Sequence, residues 1–247
     1  MSTDIIAFLI IMGFTLIIHG GLAYLVIKKK DYSLISGFSN RPEEEQKQLI
    51  ENGYTQAIGK LLLYTFIILI ISVILALLRV PYGFEIGLAV FLIVLLGGSI
   101  YVQKYELKHK RKKYYWTTSI VAVIVLAFIS ILGYFGFEEN EVVIDERHLK
   151  VSGLYGVEWP IDKIDQVKLM DELPEVVVKN NGFAAFGRLK GTFRLEEPYG
   201  KGKLFVYKGY EPYLYIAKDD DYLIINYKTK KETKKQYERI LEKMEKK

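Results

Sequence analysis

The chain has 247 residues, no cysteine and a formal net charge of +5 at neutral pH. Without cysteine, disulfides, thiolate catalysis and cysteine-ligated zinc are excluded. Residues 137–247 hold 21 basic and 21 acidic side chains, so the basic excess lies entirely in residues 1–136. A basic protein often binds nucleic acid. Here, however, the basic residues flank apolar stretches, and orientation in a membrane explains them better. We therefore expect no nucleic-acid partner.

Four long apolar stretches dominate the first half of the chain. Each has a length close to the roughly 17–25 residues that an α-helix needs to cross a bilayer. The first stretch is not expected to be a cleaved signal, because its leading residues include Asp4 and no basic side chain. Residues 1–136 are therefore predicted to form a four-span transmembrane domain, followed by a soluble domain over 137–247. The predicted spans are 5–27, 57–78, 86–102 and 117–137.

A short helix is predicted between the first two spans. Asn40 is followed by Pro42 and by Glu43 three residues on, which is a pattern typical of a helix start. The pattern predicts an interfacial helix over 42–52 that ends at Gly53.

The distribution of basic residues predicts which side of the membrane each segment occupies. The run KYELKHKRKK at 104–113 carries six Lys and Arg, and the loop over 28–60 carries six more, whereas the connection at 79–85 carries one. Short loops rich in Lys and Arg stay cytoplasmic. With four spans, both basic loops lie inside. The N-terminus and the C-terminal domain then lie outside the cytoplasm.

The second half alternates between apolar and polar residues in short segments separated by turns, as expected of a small β-sandwich or β-barrel. In the last segment, Tyr237, Ile240, Leu241 and Met244 form one apolar stripe at helical spacing, with Thr229 as the N-cap. We expect this amphipathic helix to cover an open barrel mouth. The predicted strands are 142–145, 149–152, 155–159, 164–170, 189–195, 203–208, 213–217 and 222–227.

Strands followed by one C-terminal helix are typical of a pleckstrin-homology-like (PH-like) fold. The segments DQVKLMDELP, NGFAAFGRLKGTFRLEEPYGKGKLFVY and YLYIAKDDDYLIINYKTKKETKKQYERI resemble the bacterial PH-like domain of the sublancin immunity protein family over residues 141–240. This resemblance implies a PH-like β-barrel or sandwich and a role in bacteriocin immunity. The segment DYSLISGFSNRPEEEQK resembles an uncharacterised bacterial membrane family. Together these resemblances imply a multi-pass protein of a bacterial cell membrane.

The glycine-rich stretch at 180–191 is the strongest candidate for a binding site. Its glycines allow a partner to approach the backbone closely, its two cations can hold a phosphate or carboxylate, and its phenylalanines supply apolar contact. The alternative is a flexible loop in which the glycines serve turns. The candidate ligand-binding residues are Asn181, Gly182, Phe183, Phe186, Arg188 and Lys190.

Two ionisable residues lie in or beside the predicted spans. His19 is a functional candidate because ionisable groups inside membranes are costly. It is also explained by a hydrogen bond to a neighbouring helix at the small residues Gly20 and Gly21. Glu85 is explained by an interfacial position. The three histidines are far apart in the sequence, so we expect neither a metal nor a cofactor.

The sequence contains no catalytic constellation, so an enzyme is not expected. One function left open is a membrane-anchored PH-like binding protein that intercepts a peptide such as a bacteriocin. The alternative is a scaffold or assembly subunit of a membrane complex. The expected partners are membrane lipids and either a peptide or another membrane protein. A transporter has little support, because a substrate path would need several inward-facing charges.

Overall fold

The structure, a computed structural model, describes residues 3–245. The chain divides into two compact units, residues 1–129 and residues 130–247. The division falls inside the last long helix, whose final residues therefore pack with the strands that follow. The boundary predicted at 136/137 lies at the end of this helix.

Four helices are long and apolar enough to cross a membrane, as the sequence predicted. Many of their large apolar side chains are exposed, among them Ile17, Ile93 and Ile124 at 74%, 66% and 61%. Exposed apolar surface of this extent is what a lipid environment solvates. The helices are α1 (Thr3–Tyr24, continued by a π-helical turn at Leu25–Lys29), α3 (Tyr54–Leu77), α4 (Gly83–Val102) and α5 (Lys108–Phe137).

The short helix between the first two spans is present as α2, Glu43–Glu51. Gly53 follows it in the left-handed conformation, with φ at 84°. Pro42 occupies the N-cap position, without a side-chain cap bond. Three glutamates in the first turn stabilise this helix end instead, since negative charge is favourable at a helix N-terminus.

The basic run at 104–113 was expected to be a loop, and most of it is helical. A 3₁₀ turn covers Gln103–Tyr105, and α5 begins at Lys108. Lys and Arg have good helix propensity, so the helix of the fourth span extends back through the charged run.

The first unit has a small core outside the apolar spans. Val26, Ile35, Phe38, Leu49 and Leu107 form one buried cluster, in which Leu49 is fully buried. In this cluster, Leu49 of α2 packs with residues that precede α2 and with Leu107, which lies between α4 and α5.

The second unit contains two sheets. The small sheet is antiparallel with strand order β1-β2-β3, and the large sheet has the order β4-β8-β9-β7-β6-β5 with a single parallel pair, β7 and β9. β4 and β5 lie at opposite ends of the large sheet, so it is not closed into a barrel and the predicted barrel mouth does not exist. The strands are β1 (Val142–Ile144), β2 (His148–Val151), β3 (Val157–Pro160), β4 (Gln166–Met170), β5 (Val176–Ala185), β6 (Arg188–Leu195), β7 (Lys201–Tyr207), β8 (Tyr213–Lys218) and β9 (Asp221–Ile225).

A C-terminal helix follows the strands, as predicted. It is α6, Lys230–Glu245, and the Thr229 hydroxyl accepts a hydrogen bond from the Glu232 N–H at 3.3 Å. Ile240 in the apolar stripe is fully buried, in one core cluster with Ile216 and Leu223 of the large sheet. The helix contacts β4 and β8 and therefore covers one face at the β4 end of the sheet.

Candidate functional site

The stretch 180–191 forms a β-hairpin and is not a flexible loop. Ala185 pairs with Arg188 across β5 and β6, which leaves Phe186 and Gly187 as a two-residue turn. Both turn residues have positive φ, 49° and 72°. This conformation matches the twist of the adjoining strands and favours a tight hairpin.

Two glycines of the stretch allow the hairpin strands to approach closely. Gly182 pairs with Gly191. A Cβ on Gly182 would lie 2.4 Å from the Lys190 carbonyl oxygen, and a Cβ on Gly191 would lie 2.5 Å from that of Asn181. Both glycines are therefore needed by the strand pairing itself.

Arg188 and Lys190 bind the end of α5. Arg188 Nη1 and Nη2 donate to the carbonyl oxygens of Phe137 and Glu138 at 2.9 and 2.6 Å. Lys190 Nζ donates to those of Phe135 and Glu138, both at 2.9 Å. The last carbonyls of a helix have no partner within the helix, and cations are favourable near its C-terminus. Both side chains thus act as a C-terminal cap for α5.

Lys190 is fully buried, and burial lowers its pKa because the charged form loses hydration. Phe183, on the same hairpin, packs against the same helix end. Its ring centroid lies 4.9 Å from that of Phe137, and a Cβ on Gly136 would lie 2.3 Å from the Phe183 ring. The Phe186 ring also lies beside Phe137, with 5.8 Å between the ring centroids. The structure therefore brings four of the six candidate residues together around the end of α5. Their role in ligand binding remains a prediction.

Asn181 and Phe186 are the candidate residues that face solvent. Asn181 belongs to β5, which is an end strand of the large sheet. Within residues 3–245, β5 pairs with β6 alone, and the segment 177–181 is exposed, with Val177 at 37% and Val178 at 46%. An edge strand presents unpaired backbone N–H and C=O groups. We call the segment 177–181 the β5 edge.

His19 is bonded to a neighbouring helix. Its Nε2 lies 2.9 Å from the Thr65 hydroxyl oxygen and 3.2 Å from the Leu62 carbonyl oxygen, both on α3. A Cβ on the adjacent Gly20 would lie 2.7 Å from the Phe66 ring, so α1 and α3 are close at this point. Helix packing thus explains His19.

Glu85 lies in the first turn of α4, where a carboxylate is favourable. Among the residues that the structure describes, no group of three or more His, Asp or Glu side chains is arranged to hold a metal ion.

A buried ion pair in the first unit was missed by sequence reasoning. Arg41 donates through Nη1 and Nη2 to the two carboxylate oxygens of Glu106 at 2.7 and 2.8 Å, and the Glu106 side chain is fully buried. This bond raises the pKa of Arg41. The Tyr114 ring lies against the guanidinium, with its centroid 4.9 Å from Cζ. The sequence feature that points to this ion pair is that Glu106 is the single acidic residue of the run 104–113.

A second acidic residue, Glu45 on α2, also forms an ion pair. Lys110 Nζ donates to both carboxylate oxygens of Glu45 at 2.7 and 2.8 Å, and this hydrogen bond lowers the pKa of Glu45. Glu45 also lies 3.9 Å from Arg41 Nη1. The segment around α2 is thus held to the start of α5 by two ion pairs.

The similarity to a known protein family lies within the first unit. Residues 10–106 match the model of a family described as a domain of unknown function, DUF3784. No curated protein and no solved structure matches the chain. The resemblance of residues 141–240 to the PH-like family is not supported by these comparisons. The family match spans α2, α3, α4 and both members of the Arg41–Glu106 pair, and it ends before α5. The similarity to this family is therefore limited to residues 10–106, within the first unit.

Proposed function

We propose that this protein is a non-enzymatic, membrane-anchored binding protein whose second unit captures an extended peptide at the outer surface of a bacterial membrane. The observation that carries the proposal is the β5 edge. Adding a strand to an exposed sheet edge gains main-chain hydrogen bonds, and the alternating side chains of the edge provide selectivity.

The two ends of the large sheet differ in a way that favours β5 as the binding edge. At the β4 end, α6 contacts the sheet and covers one face. β5 has ten residues, twice the length of β4 with five. Long exposed edges promote aggregation unless they are interrupted. β5 has irregularities at Val176/Val178 and Lys179/Asn181, which weaken pairing with a second copy of a flat strand. A flexible peptide can still follow the bent edge.

The charge distribution supports the proposed side of the membrane. The loops between the first and second spans and between the third and fourth carry the basic residues, which favours their retention inside. With four spans, the second unit is then expected outside. The resemblance to the sublancin immunity family supports a bacteriocin as the peptide. A peptide that acts on the cell surface is accessible to an edge on that side.

The orientation can be tested directly because the chain contains no cysteine. We expect a cysteine introduced by Val178→Cys to react with a membrane-impermeant maleimide on intact cells. The matched variant Lys47→Cys, on the exposed face of α2, should react only after the cells are opened. The opposite labelling pattern would show that the second unit faces the cytoplasm and would exclude the capture of external peptides.

The binding role is tested by the tolerance of a sensitive bacterial strain to membrane-acting bacterial peptides. Expression of the protein should raise the minimum inhibitory concentration of at least one peptide in a panel. Val178→Lys should abolish this increase, because a charge on an edge strand blocks further pairing. The control is Val143→Lys, on the three-residue strand β1, where the side chain is similarly exposed (44% against 46%). If no peptide is tolerated better, or if both variants lose protection equally, capture at the β5 edge is excluded.

A second candidate function is a scaffold or assembly subunit of a membrane complex. The observation that favours it is a cavity of about 660 Å³ between α3 and α4, lined in part by Gly97 and Gly98. A Cβ on Gly97 would meet nothing within 4 Å. An open surface at glycine allows another helix to approach closely. Purification in mild detergent distinguishes the two functions, since a scaffold subunit should be recovered with a partner and a lone monomer contradicts this role.

A further inference from the structure

A basic groove lies between the end of α4 and the start of α5, entirely within the first unit. It has a volume of about 470 Å³. All of its charged lining residues are cations, and the remaining lining residues are aromatic or aliphatic. The groove is lined by Ile100, Tyr101, Lys104, Lys108, Arg111, Lys112 and Tyr115.

The cations of the basic groove are not neutralised by the protein. Within residues 3–245, none of the four forms an ion pair with a carboxylate. Two acidic residues of the same unit are paired with other cations, Glu106 with Arg41 and Glu45 with Lys110. Arg111 donates to the backbone carbonyl oxygen of Glu106, from Nε at 3.3 Å and from Nη2 at 3.2 Å. The groove therefore has uncompensated positive charge for an anionic ligand.

Two aromatic rings hold one of these cations in place. Lys104 Nζ lies 3.8 Å from the centroid of Tyr101 and 4.7 Å from that of Tyr105. Such cation–π contacts orient an ammonium group without removing its charge. Tyr101 and Tyr115 are both exposed, at 59% and 49%. Tyrosine is typical of the level of the lipid headgroups.

We propose that the basic groove binds an anionic phospholipid, with the phosphate between the cations and an acyl chain beside Ile100. The choice of a lipid follows from the position of the groove. One candidate span ends at Tyr105 and the next begins at Lys108, so the cations stand where an apolar stretch meets water. Basic residues at this level attract anionic headgroups, and the N–H groups of Arg111 that the Glu106 carbonyl does not use can donate to phosphate oxygens. This site does not depend on the proposed peptide-binding role of the second unit.

The experiment uses the full chain with Trp159→Phe, which leaves Trp116 as the single tryptophan, beside the groove residue Tyr115. The protein is reconstituted in phosphatidylcholine vesicles that contain either brominated phosphatidylglycerol or brominated phosphatidylcholine at the same mole fraction. We expect phosphatidylglycerol to quench Trp116 more strongly. Equal quenching by the two lipids would overturn the proposal.

Charge variants then locate the site. Lys104→Gln, Lys108→Gln and Lys112→Gln combined should weaken the preference for phosphatidylglycerol by about fivefold for each lysine, which corresponds to about 1 kcal/mol per charge. The control combines Lys230→Gln, Lys231→Gln and Lys234→Gln, the same change of charge on α6, and should keep the full preference. Equal loss in both triple variants would overturn the site. Replacing the three groove lysines by arginine should retain the preference and shows that the helix tolerates substitution there.

Two further measurements separate a lipid from free phosphate and from a folding defect. In detergent, phosphatidylglycerol should raise the melting temperature of the wild-type protein more than phosphatidylcholine does, and high salt should reduce the difference because the attraction is electrostatic. Inorganic phosphate should not reproduce the increase. If phosphate alone has the same effect, the site binds a soluble anion and the lipid assignment is wrong.

Discussion

Replacing Glu106 by leucine is expected to destabilise the first unit by about 3–5 kcal/mol. The Glu106 side chain is fully buried, and its two oxygens accept both hydrogen bonds of the Arg41 guanidinium. Removal of the carboxylate leaves Arg41, only 11% exposed, without its hydrogen-bonded partner, and the remaining carboxylate of Glu45 lies 3.9 Å away and is already bonded to Lys110. A buried charge that loses its partner is costly because nothing replaces the lost hydration. The measurement is equilibrium unfolding of the full chain in mixed micelles, followed by helical circular dichroism.

The matched control for this substitution is Glu51→Leu, which makes the same chemical change at an exposed position near the end of α2. It should alter the free energy of unfolding by less than about 0.5 kcal/mol. The double variant Arg41→Leu with Glu106→Leu should be more stable than Glu106→Leu alone, because no unpaired charge remains. If Glu106→Leu behaves like the control, or if the two single effects simply add, the ion pair does not stabilise the unit.

The sequence predicts the four spans and α6 well because both depend on local patterns. A long apolar stretch in a membrane must form helix to satisfy its backbone, and the stripe that includes Ile240 has helical spacing. The extended start of α5 could not be predicted, because charged residues such as Lys108 show no apolar periodicity. The Arg41–Glu106 pair was equally inaccessible, since 65 residues separate its members and no local pattern relates them.

β5 shows why the candidate site was only partly predicted. Strand prediction relies on alternation between a buried and an exposed face, and the exposed segment 177–181 has none. The hairpin turn contains Phe186 at a positive φ, where glycine or asparagine is usual. The sequence predicts Lys190 as a ligand-binding cation because a lysine in a glycine-rich stretch can hold a phosphate or carboxylate. Its partners are backbone carbonyls of α5, which no residue type reveals.

Lys190→Met is expected to destabilise the second unit by about 2–4 kcal/mol, because the end of α5 loses two hydrogen bonds from a buried charged donor. Methionine has a similar length, so the loss reflects the missing ammonium group more than a cavity. The control is Lys179→Met on the exposed face of β5, for which a change below about 0.5 kcal/mol is expected. Unfolding is followed through the fluorescence of Trp159, which is 8% exposed in the core of this unit, in a chain that carries Trp116→Phe.

The pH dependence of the Lys190→Met effect tests a separate point, which is the burial of the Lys190 charge. Burial lowers the pKa of Lys190 in the folded chain, so the folded state releases this proton at a lower pH than the unfolded state does. Between the folded pKa and the unfolded value of about 10.4, the unfolded chain binds more protons, and the stability due to Lys190 increases with pH. The destabilisation by Lys190→Met should therefore be larger at alkaline than at neutral pH, while that by Lys179→Met should stay small. A constant difference across this range would show that the pKa of Lys190 is the same in the folded and unfolded chains, which contradicts a net cost of burying its charge.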